Sequence, residues 1–299
     1  MKSLTIFTPT FNRAHLLPRL YNSLKNQTNQ NLVWMIVNDG STDHTDEVVQ
    51  SFLEENVLEI QYIKQKNTGM HGAHNTAYKN CKTELNTCID DDDLMPENAV
   101  ELILNKWNSL QQIQAKVSGI IALDAHFGRE LIGTKFNDDF TTLEDFYLKG
   151  GKGDKKLIYR TEVMKQYPEY PIFEGEKYVG LGYKYLLADQ DYKLATLNEV
   201  VCWVDYQPEG SSNNMWRQYY KNPKGFAFIR KEQMKISKSN KRILMDAAHY
   251  VAHSLKSKNW NFLTESPKKI ITTLAIPFGF VLYLYTLYQN KKQGGLYQR

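Results

Sequence analysis

Cysteine is scarce: Cys81, Cys88 and Cys202 are the only three in 299 residues, and no two of them are closely spaced. That excludes a disulfide-stapled scaffold and a thiolate zinc site, and it leaves the three as buried or half-buried small hydrophobes. A strong charge of one sign is also missing. The 37 Lys and Arg against 33 Asp and Glu give a net charge of +4, too little to read the chain as a nucleic-acid binder. Anionic substrate plus an anionic membrane surface explains so mild a basic excess better. Repeats and low-complexity segments are absent, so the chain is read as one large domain with appendages. A strand pattern begins at Leu4, with no signal-peptide pattern before it, and the expectation is a cytosolic protein. There is no series of long apolar runs. One near-continuous run, Ile270 to Tyr288, lies close to the end.

What is present is a regular alternation. Leu4 to Thr8 reads as a strand, followed by Leu16, Leu17, Leu20 and Leu24 at helical spacing. Leu32 to Val37 is an apolar run of buried-strand type, and Val48, Val49, Phe52 and Leu53 line the next helix behind Asp43, Asp46 and Glu47. Leu58 to Ile63, Leu85 to Ile89 and Val117 to Leu123 are further strands. Gly72 to Lys79 and the stripe Ala99, Leu102, Ile103, Trp107, Leu110 are the intervening helices. Alternation of this size implies βαβ units in a mostly parallel sheet, whose ligands bind beyond the carboxyl strand ends. Thr8-Pro9-Thr10, Asp39 and the run Asp90 to Asp93 all fall at such ends and are expected to converge on one crevice.

Four consecutive aspartates repel one another, and a folded chain keeps them where a cation neutralises them. At a strand end, the natural neutraliser is a divalent metal bound by oxygen, its remaining ligands coming from phosphates. A solvated acidic turn is the alternative.

Thr8-Pro9-Thr10-Phe11-Asn12-Arg13, Asn38-Asp39-Gly40-Ser41-Thr42-Asp43, Asn67-x-Gly69 with Asn75, and Asp90-x-Asp92-Asp93 stand in the order and spacing of inverting family 2 glycosyltransferases. The chain resembles that family tightly over positions 2 to about 125 and more loosely to about 214. The resemblance implies an α/β protein of the GT-A (nucleotide-diphospho-sugar transferase) fold, with a mostly parallel sheet flanked by helices and a C-terminal helical extension. It implies a catalytic domain over 1–214, with a nucleotide-binding half 1–123 and an acceptor half 124–214. A helical extension over 215–265 and an apolar membrane-associating tail over 266–299 would follow. Thr8, Pro9, Phe11 and Arg13 would line the nucleotide pocket, Asp39 would accept from the base, and Asn67, Gly69 and Asn75 would approach base and ribose. His74 stands where the pattern carries a basic residue. Asp92 is the first choice for a metal contact and Asp90 for the sugar or ribose, the two forming the pair that would hold Mg²⁺ or Mn²⁺. Asp91 is the spacer in the same substrate-binding turn, and Asp93 is expected to cap the following helix.

Inversion needs a carboxylate base beside the acceptor. The loop Phe173 to Tyr178 supplies Glu176 as first choice and Glu174 as second, before a helix from about Leu181 to Ala188. The helix-start acid found in relatives is replaced here by Gly180-Leu181-Gly182. Asp189 and Asp191 read as turn residues before the strand Leu194 to Val204. The loop Pro208 to Asn214 closes the catalytic part. Beyond it Arg217 and Lys221, four apart, share a helix face that could close over phosphates, unless that face is simply solvated. Helical patterns continue through Phe226 to Ile236 and Ile243 to Leu255. The run Ile270 to Tyr288 would extend about 28 Å, a little short of a hydrocarbon core of roughly 30 Å, and Pro277 breaks its middle. Its tyrosines and flanking lysine pairs suit an interfacial helix on the cytoplasmic face of the cell membrane, with a homodimer helix as the alternative.

The implied activity is transfer of one sugar from a nucleotide-sugar donor, of UDP type, to a glycan or polyprenyl-linked acceptor in bacterial surface polysaccharide synthesis. The Gln-x-x-Arg-Trp motif of processive relatives is missing, so a single transfer is expected. A nucleotidyltransferase is one rival, weakened because Thr8-Pro9-Thr10-Phe11 lacks the glycine-rich phosphate loop. An inactive membrane-bound sugar-binding scaffold is the other.

Overall fold

Leu4 to Thr10, every residue of it buried, forms β1, an interior strand of an eight-stranded sheet. The computed structural model describes residues 2–127, 130–205, 215–237 and 239–296, so the expected closing loop Pro208 to Asn214 lies outside the described residues. Helix α1 (Leu17–Lys25) buries Leu17, Leu20, Tyr21 and Leu24. It is followed by β2 (Leu32–Asn38), α2 (Thr45–Glu55), β3 (Ile60–Lys64), α3 (Met70–Asn80), β4 (Leu85–Cys88) and α4 (Ala99–Ser109). β2 pairs in parallel with β1 and β3, and β1 pairs in parallel with β4. Strands covered on both faces need continuous apolar runs, which is what the sequence of β1 and β2 supplies. Tyr21 of α1, Trp34 of β2 and Phe52 of α2 stack beneath the sheet, with Tyr21 and Phe52 centroids 4.1 Å apart. Asp46 and Glu47 sit in the first turn of α2, where they complement the helix dipole.

The second half of the sheet departs from simple alternation. β5 (Val117–His126), β6 (Phe140–Thr141), α5 (Leu143–Leu148), β7 (Lys155–Arg160), α6 (Thr161–Gln166), α7 (Gly182–Asp191) and β8 (Lys193–Val204) complete the strand order β3-β2-β1-β4-β7-β5-β8-β6. β7 is antiparallel to both β4 and β5, whereas β5 and β8 are parallel. The carboxyl ends of β1, β2, β4, β5 and β8 therefore share one edge. Helix α7 runs through Asp191, so Asp189 and Asp191 belong to its last turn and not to a turn before the strand. Asp189 accepts from the Glu144 N–H at 3.0 Å, at the start of α5.

Two compact units result, and they do not follow chain order. One comprises Met1–Thr68, Gly72–Glu169 and Leu187–Gln207; the other comprises Gly69–His71, Tyr170–Leu186 and Pro208–Arg299. In the second unit α8 (Met215–Lys221), α9 (Pro223–Ile236), α10 (Asn240–Lys256), α11 (Phe262–Glu265) and α12 (Lys269–Leu296) surround a core of Met234, Ile243, Ala247, Tyr250, Val251 and Ala275. α12 packs on α10, with Gly279 against Val251 and Ala248. Its 28 residues run unbroken through Pro277, about 42 Å at 1.5 Å per residue. The expected break does not occur: Pro277 and Thr273, whose carbonyl loses its partner, both stand on the exposed side of the helix.

Candidate functional site

Three loops meet where β1, β2 and β4 end. After β1 the chain turns at Asn12, a non-glycine residue with φ +55°. Asn12 Oδ1 accepts from the Thr42 N–H at 2.7 Å, and its own N–H donates to Ser41 Oγ at 2.9 Å. The Ala14 N–H donates to Asp43 Oδ2 at 3.1 Å. The Thr-Pro-Thr-Phe-Asn-Arg and Asn-Asp-Gly-Ser-Thr-Asp segments are thus laced together. Asp39 is buried, with its N–H on Thr10 O at 2.9 Å. Asp39 Oδ1 accepts from Gln65 Nε2 at 2.7 Å and the Thr68 N–H at 2.9 Å. Gly40 (φ +81°) would set a Cβ 2.9 Å from Asn67 N, so a glycine is needed for Asn67 to come this near. Asn75 is half-buried on α3 and Phe11 is exposed.

Some expected residues are turned elsewhere. Thr8 is fully buried, its hydroxyl accepting from Trp34 Nε1 at 3.0 Å inside the core. Pro9 is buried in β1. His74 is buried edge-on to Phe7, 4.9 Å between centroids, so the position that the family pattern makes basic holds a packed imidazole here.

The acidic turn sorts its carboxylates by parity. Asp91 and Asp93 are buried; Asp90 and Asp92 are partly open to solvent. Arg13 grips the turn with one nitrogen per carboxylate: Nη1 to Asp91 Oδ1 at 2.5 Å and Nη2 to Asp92 Oδ2 at 2.9 Å. Thr10 Oγ1 donates to the other oxygen of Asp91 at 2.8 Å. Burial pushes the Asp91 carboxyl up to about 7, against the pull of Arg13 and of the Thr10 hydroxyl. Asp93 does not cap α4, whose N-cap is Asn98. It faces inward, accepting from the Asp205 N–H at 3.2 Å and pairing with Lys156 Nζ at 3.7 Å. Burial lifts Asp93 to about 7 against the attraction of Lys156. Lys156, on β7, also reaches Cys88 O at 3.5 Å and acts on the buried Asp124. Periodicity could not find it, because β7 owes its place beside β4 to sheet order alone. A lysine pair opening an apolar strand was the available signal.

Asp90 and Asp92 offer hard oxygen donors at the mouth of the turn, and no cluster of three or more metal-ligating side chains exists among the described residues. Two carboxylates with room for phosphate and water oxygens are the donor set that Mg²⁺ or Mn²⁺ takes. The residues fit such an ion.

The helical unit carries the remaining candidates. Glu176 is buried, with Oε1 accepting from the Lys224 N–H at 2.9 Å and Oε2 from the Gly225 N–H at 2.8 Å. It thereby caps α9 in trans, while the Asn222 side chain accepts from the Lys177 N–H at 2.8 Å. Burial lifts the Glu176 carboxyl above its ordinary range, and the two amides pull it back. Glu174 is exposed on the same loop, next to Gly175 (φ +79°). Gly69 (φ +86°) would set a Cβ 2.1 Å from Lys177 O, so only glycine fits. Arg217 is exposed on α8.

The family model for glycosyl transferase family 2 matches residues 5–167. Glycosyltransferase GlyA of Streptococcus pneumoniae is 34% identical over 103 residues, covering 34% of this chain and 15% of that protein. GalNAc(5)-diNAcBac-PP-undecaprenol beta-1,3-glucosyltransferase of Campylobacter jejuni is 27% identical over 170 residues, 55% of this chain and 54% of that protein. The chain thus spans about half or less of the length of these relatives. Among solved structures, S. aureus TarS 1–349 in complex with UDP-GlcNAc superposes with a TM-score of 0.62 at 17% identity, over 98% of this chain and 92% of that one. Mannosyltransferase PcManGT from Pyrobaculum calidifontis, in complex with GDP-Man and Mn²⁺, gives 0.55 at 16% identity, over 94% and 87%. At such identities the likeness is one of fold, the GT-A arrangement expected from the motifs. With the family model covering more than half of the chain and its motifs lying at the carboxyl edge of this sheet, the protein belongs to glycosyl transferase family 2.

Proposed function

We propose that this chain is an inverting hexosyltransferase that moves one sugar from a UDP-sugar to a glycan or lipid-linked acceptor in bacterial surface polysaccharide synthesis. The observation that carries the reading is that Asp39, after β2, and the Asp90–Asp92 turn, after β4, flank the β1 loop, which is tied to the β2 loop through Asn12 and Ala14 and to the acidic turn through Arg13. UDP-GlcNAc in the TarS structure and the undecaprenol-linked substrate in the Campylobacter enzyme's name support the donor and acceptor classes. Mn²⁺ in the mannosyltransferase structure supports a divalent ion.

Asp39 accepts from the uracil imide N–H, and Phe11, Asn67, Gly69 and Asn75 bound the nucleoside. Asp92, with Asp90, holds Mg²⁺ or Mn²⁺. The bound ion supplies charge neutralisation for the departing diphosphate. Glu174 is the base that takes the proton from the acceptor hydroxyl, with Glu176 anchoring its loop to α9, because both Glu176 oxygens already accept from helix amides. Arg217 is a surface cation for the phosphates.

The tail favours a peripheral site on the cytoplasmic face of the membrane. Ile270, Leu274, Phe278, Phe280, Val281, Leu284, Tyr285 and Tyr288 are exposed over an arc of roughly 160° at 3.6 residues per turn. That arc is wider than a coiled-coil seam. Its other side is occupied by α10, and exposed Lys291 and Lys292 close its far end. An interfacial helix on anionic headgroups follows from these features.

Divalent-ion-dependent release of UDP from a panel of UDP-sugars tests the reading. Release with acceptor-dependent sugar transfer supports it. Pyrophosphate release would make the protein a nucleotidyltransferase, and binding without turnover would make it a scaffold.

A further inference from the structure

Arg13 occupies an unusual position for a residue expected to face the nucleotide. Its guanidinium divides its fork between two carboxylates of the acidic turn, and the two are held unequally. Asp91 is buried and has a second donor in Thr10. Asp92 is the more open of the two, its side chain 15% exposed, and its Oδ2 is held by Arg13 Nη2. The Arg13 side chain is one-third exposed, at 33%. The backbone on either side of it is pinned, through Asn12 to Thr42 and through Ala14 to Asp43. A cation on a pinned backbone with a partly exposed side chain can give up one partner and keep the other.

We propose that Arg13 is the resident counter-ion of the acidic turn, standing on Asp92 where a divalent ion binds and leaving that oxygen only when a nucleoside diphosphate draws the guanidinium away. The proposal rests on the reading of Asp92 as a metal ligand. Two cations on one carboxylate repel each other and divide its charge, so the ion alone has to bind Asp92 against the guanidinium that already holds Oδ2. A diphosphate reverses the balance: it gives the guanidinium a planar, doubly hydrogen-bonded partner and gives the ion its remaining oxygens. Arg13 stays near Asp91, which Thr10 keeps in place. Metal and nucleotide then bind with positive coupling, and Arg13 is a positioning residue that sets its size.

Mn²⁺ binding by the full chain, followed through loss of the free-ion electron paramagnetic resonance signal, tests this with and without UDP. For the native chain, UDP should tighten Mn²⁺ binding by about tenfold or more. Arg13→Gln should bind Mn²⁺ alone about tenfold more tightly than the native chain, bind metal-free UDP more weakly, and show a correspondingly smaller coupling. Arg13→Lys keeps the charge but offers no fork, and should fall between the two; it carries the same test if the glutamine variant folds poorly. Should Arg13→Gln and Arg13→Lys bind Mn²⁺ alone no more tightly than the native chain, while the native chain takes up Mn²⁺ with UDP, the counter-ion role is wrong and the metal reading survives. Absence of Mn²⁺ uptake by the native chain even with UDP would overturn both.

Discussion

Asp91 in the sheet unit and Asp246 in the helical unit are both buried aspartates with an arginine partner, Arg13 at 2.5 Å and Arg230 at 2.8 Å. Their surroundings differ. Beside Asp91 stand Asp90 and Asp92, partly open to solvent, and a half-exposed loop rich in polar side chains. Around Asp246 the added charge is a second cation: Arg242 lies 3.9 Å away, and burial with the Arg230 charge lowers His249 to about 4, keeping it neutral. Its unit presents an apolar arc on α12 instead. A buried ion pair by itself therefore does not mark a site. What distinguishes the sheet unit is the pair of partly open carboxylates beside its buried ion pair, Asp90 and Asp92, which the Asp246 pair lacks.

Five substitutions would break or sharpen that contrast. Asp92→Asn removes an outward carboxylate, and ion-dependent UDP release should fall about 10³-fold, equivalent to about 4 kcal/mol of transition-state stabilisation. Its melting temperature should be nearly unchanged; near-native turnover would remove Asp92 from the site. Asp246→Ala strips the partner from Arg230 in the interior, and denaturant unfolding should register a loss of about 3 kcal/mol. UDP affinity, measured by calorimetry, should stay within a few-fold of native. Reduced UDP affinity at native stability would mean that the helical pair does belong to a binding site.

Glu176→Gln keeps one acceptor oxygen and loses the other, so stability should drop by about 1 kcal/mol, the scale of a helix cap. Activity should survive it, whereas Glu174→Gln should lower turnover about 10²-fold with UDP binding intact. The reverse pattern would return the base to Glu176. The smallest effect is expected at Lys292→Ala. Binding to vesicles containing anionic lipid should weaken by no more than about 1 kcal/mol, with no change on neutral vesicles. Full-length protein that ignores both kinds of vesicle would leave α12 as a packing or dimer element.

Much of the sheet unit was legible because its signals are local. Leu32 to Val37 reads as a buried strand, Leu16, Leu17, Leu20 and Leu24 recur at helical spacing, and Asp39 and Asp90–Asp93 end strands that such runs define. Less could be read where a partner comes from a distant segment. Asp93 looked like the cap of the next helix, yet Lys156 and Asp205 lie 63 and 112 residues away in sequence. Glu176 reads locally as the first choice for the base, and no local signal shows that Pro223 begins a helix whose first amides need acceptors, which Glu176 supplies across 49 residues. Pro277 signalled a break, yet its position on the exposed side of α12 lets the helix continue.

The amino-acid sequence alone determined the alternating strands and helices, the edge on which the family motifs gather, and the acidic turn that ends β4. Each follows from hydrophobic period and from charge placed at element ends, which act over a few residues. Tertiary structure alone decided that β7 runs antiparallel between β4 and β5, and that Arg13 and Lys156 divide the acidic turn between them. It also decided that one face of α12 packs on α10 while the other stays bare. These depend on which surfaces come to lie against one another, and burial makes that choice only once the whole chain has folded.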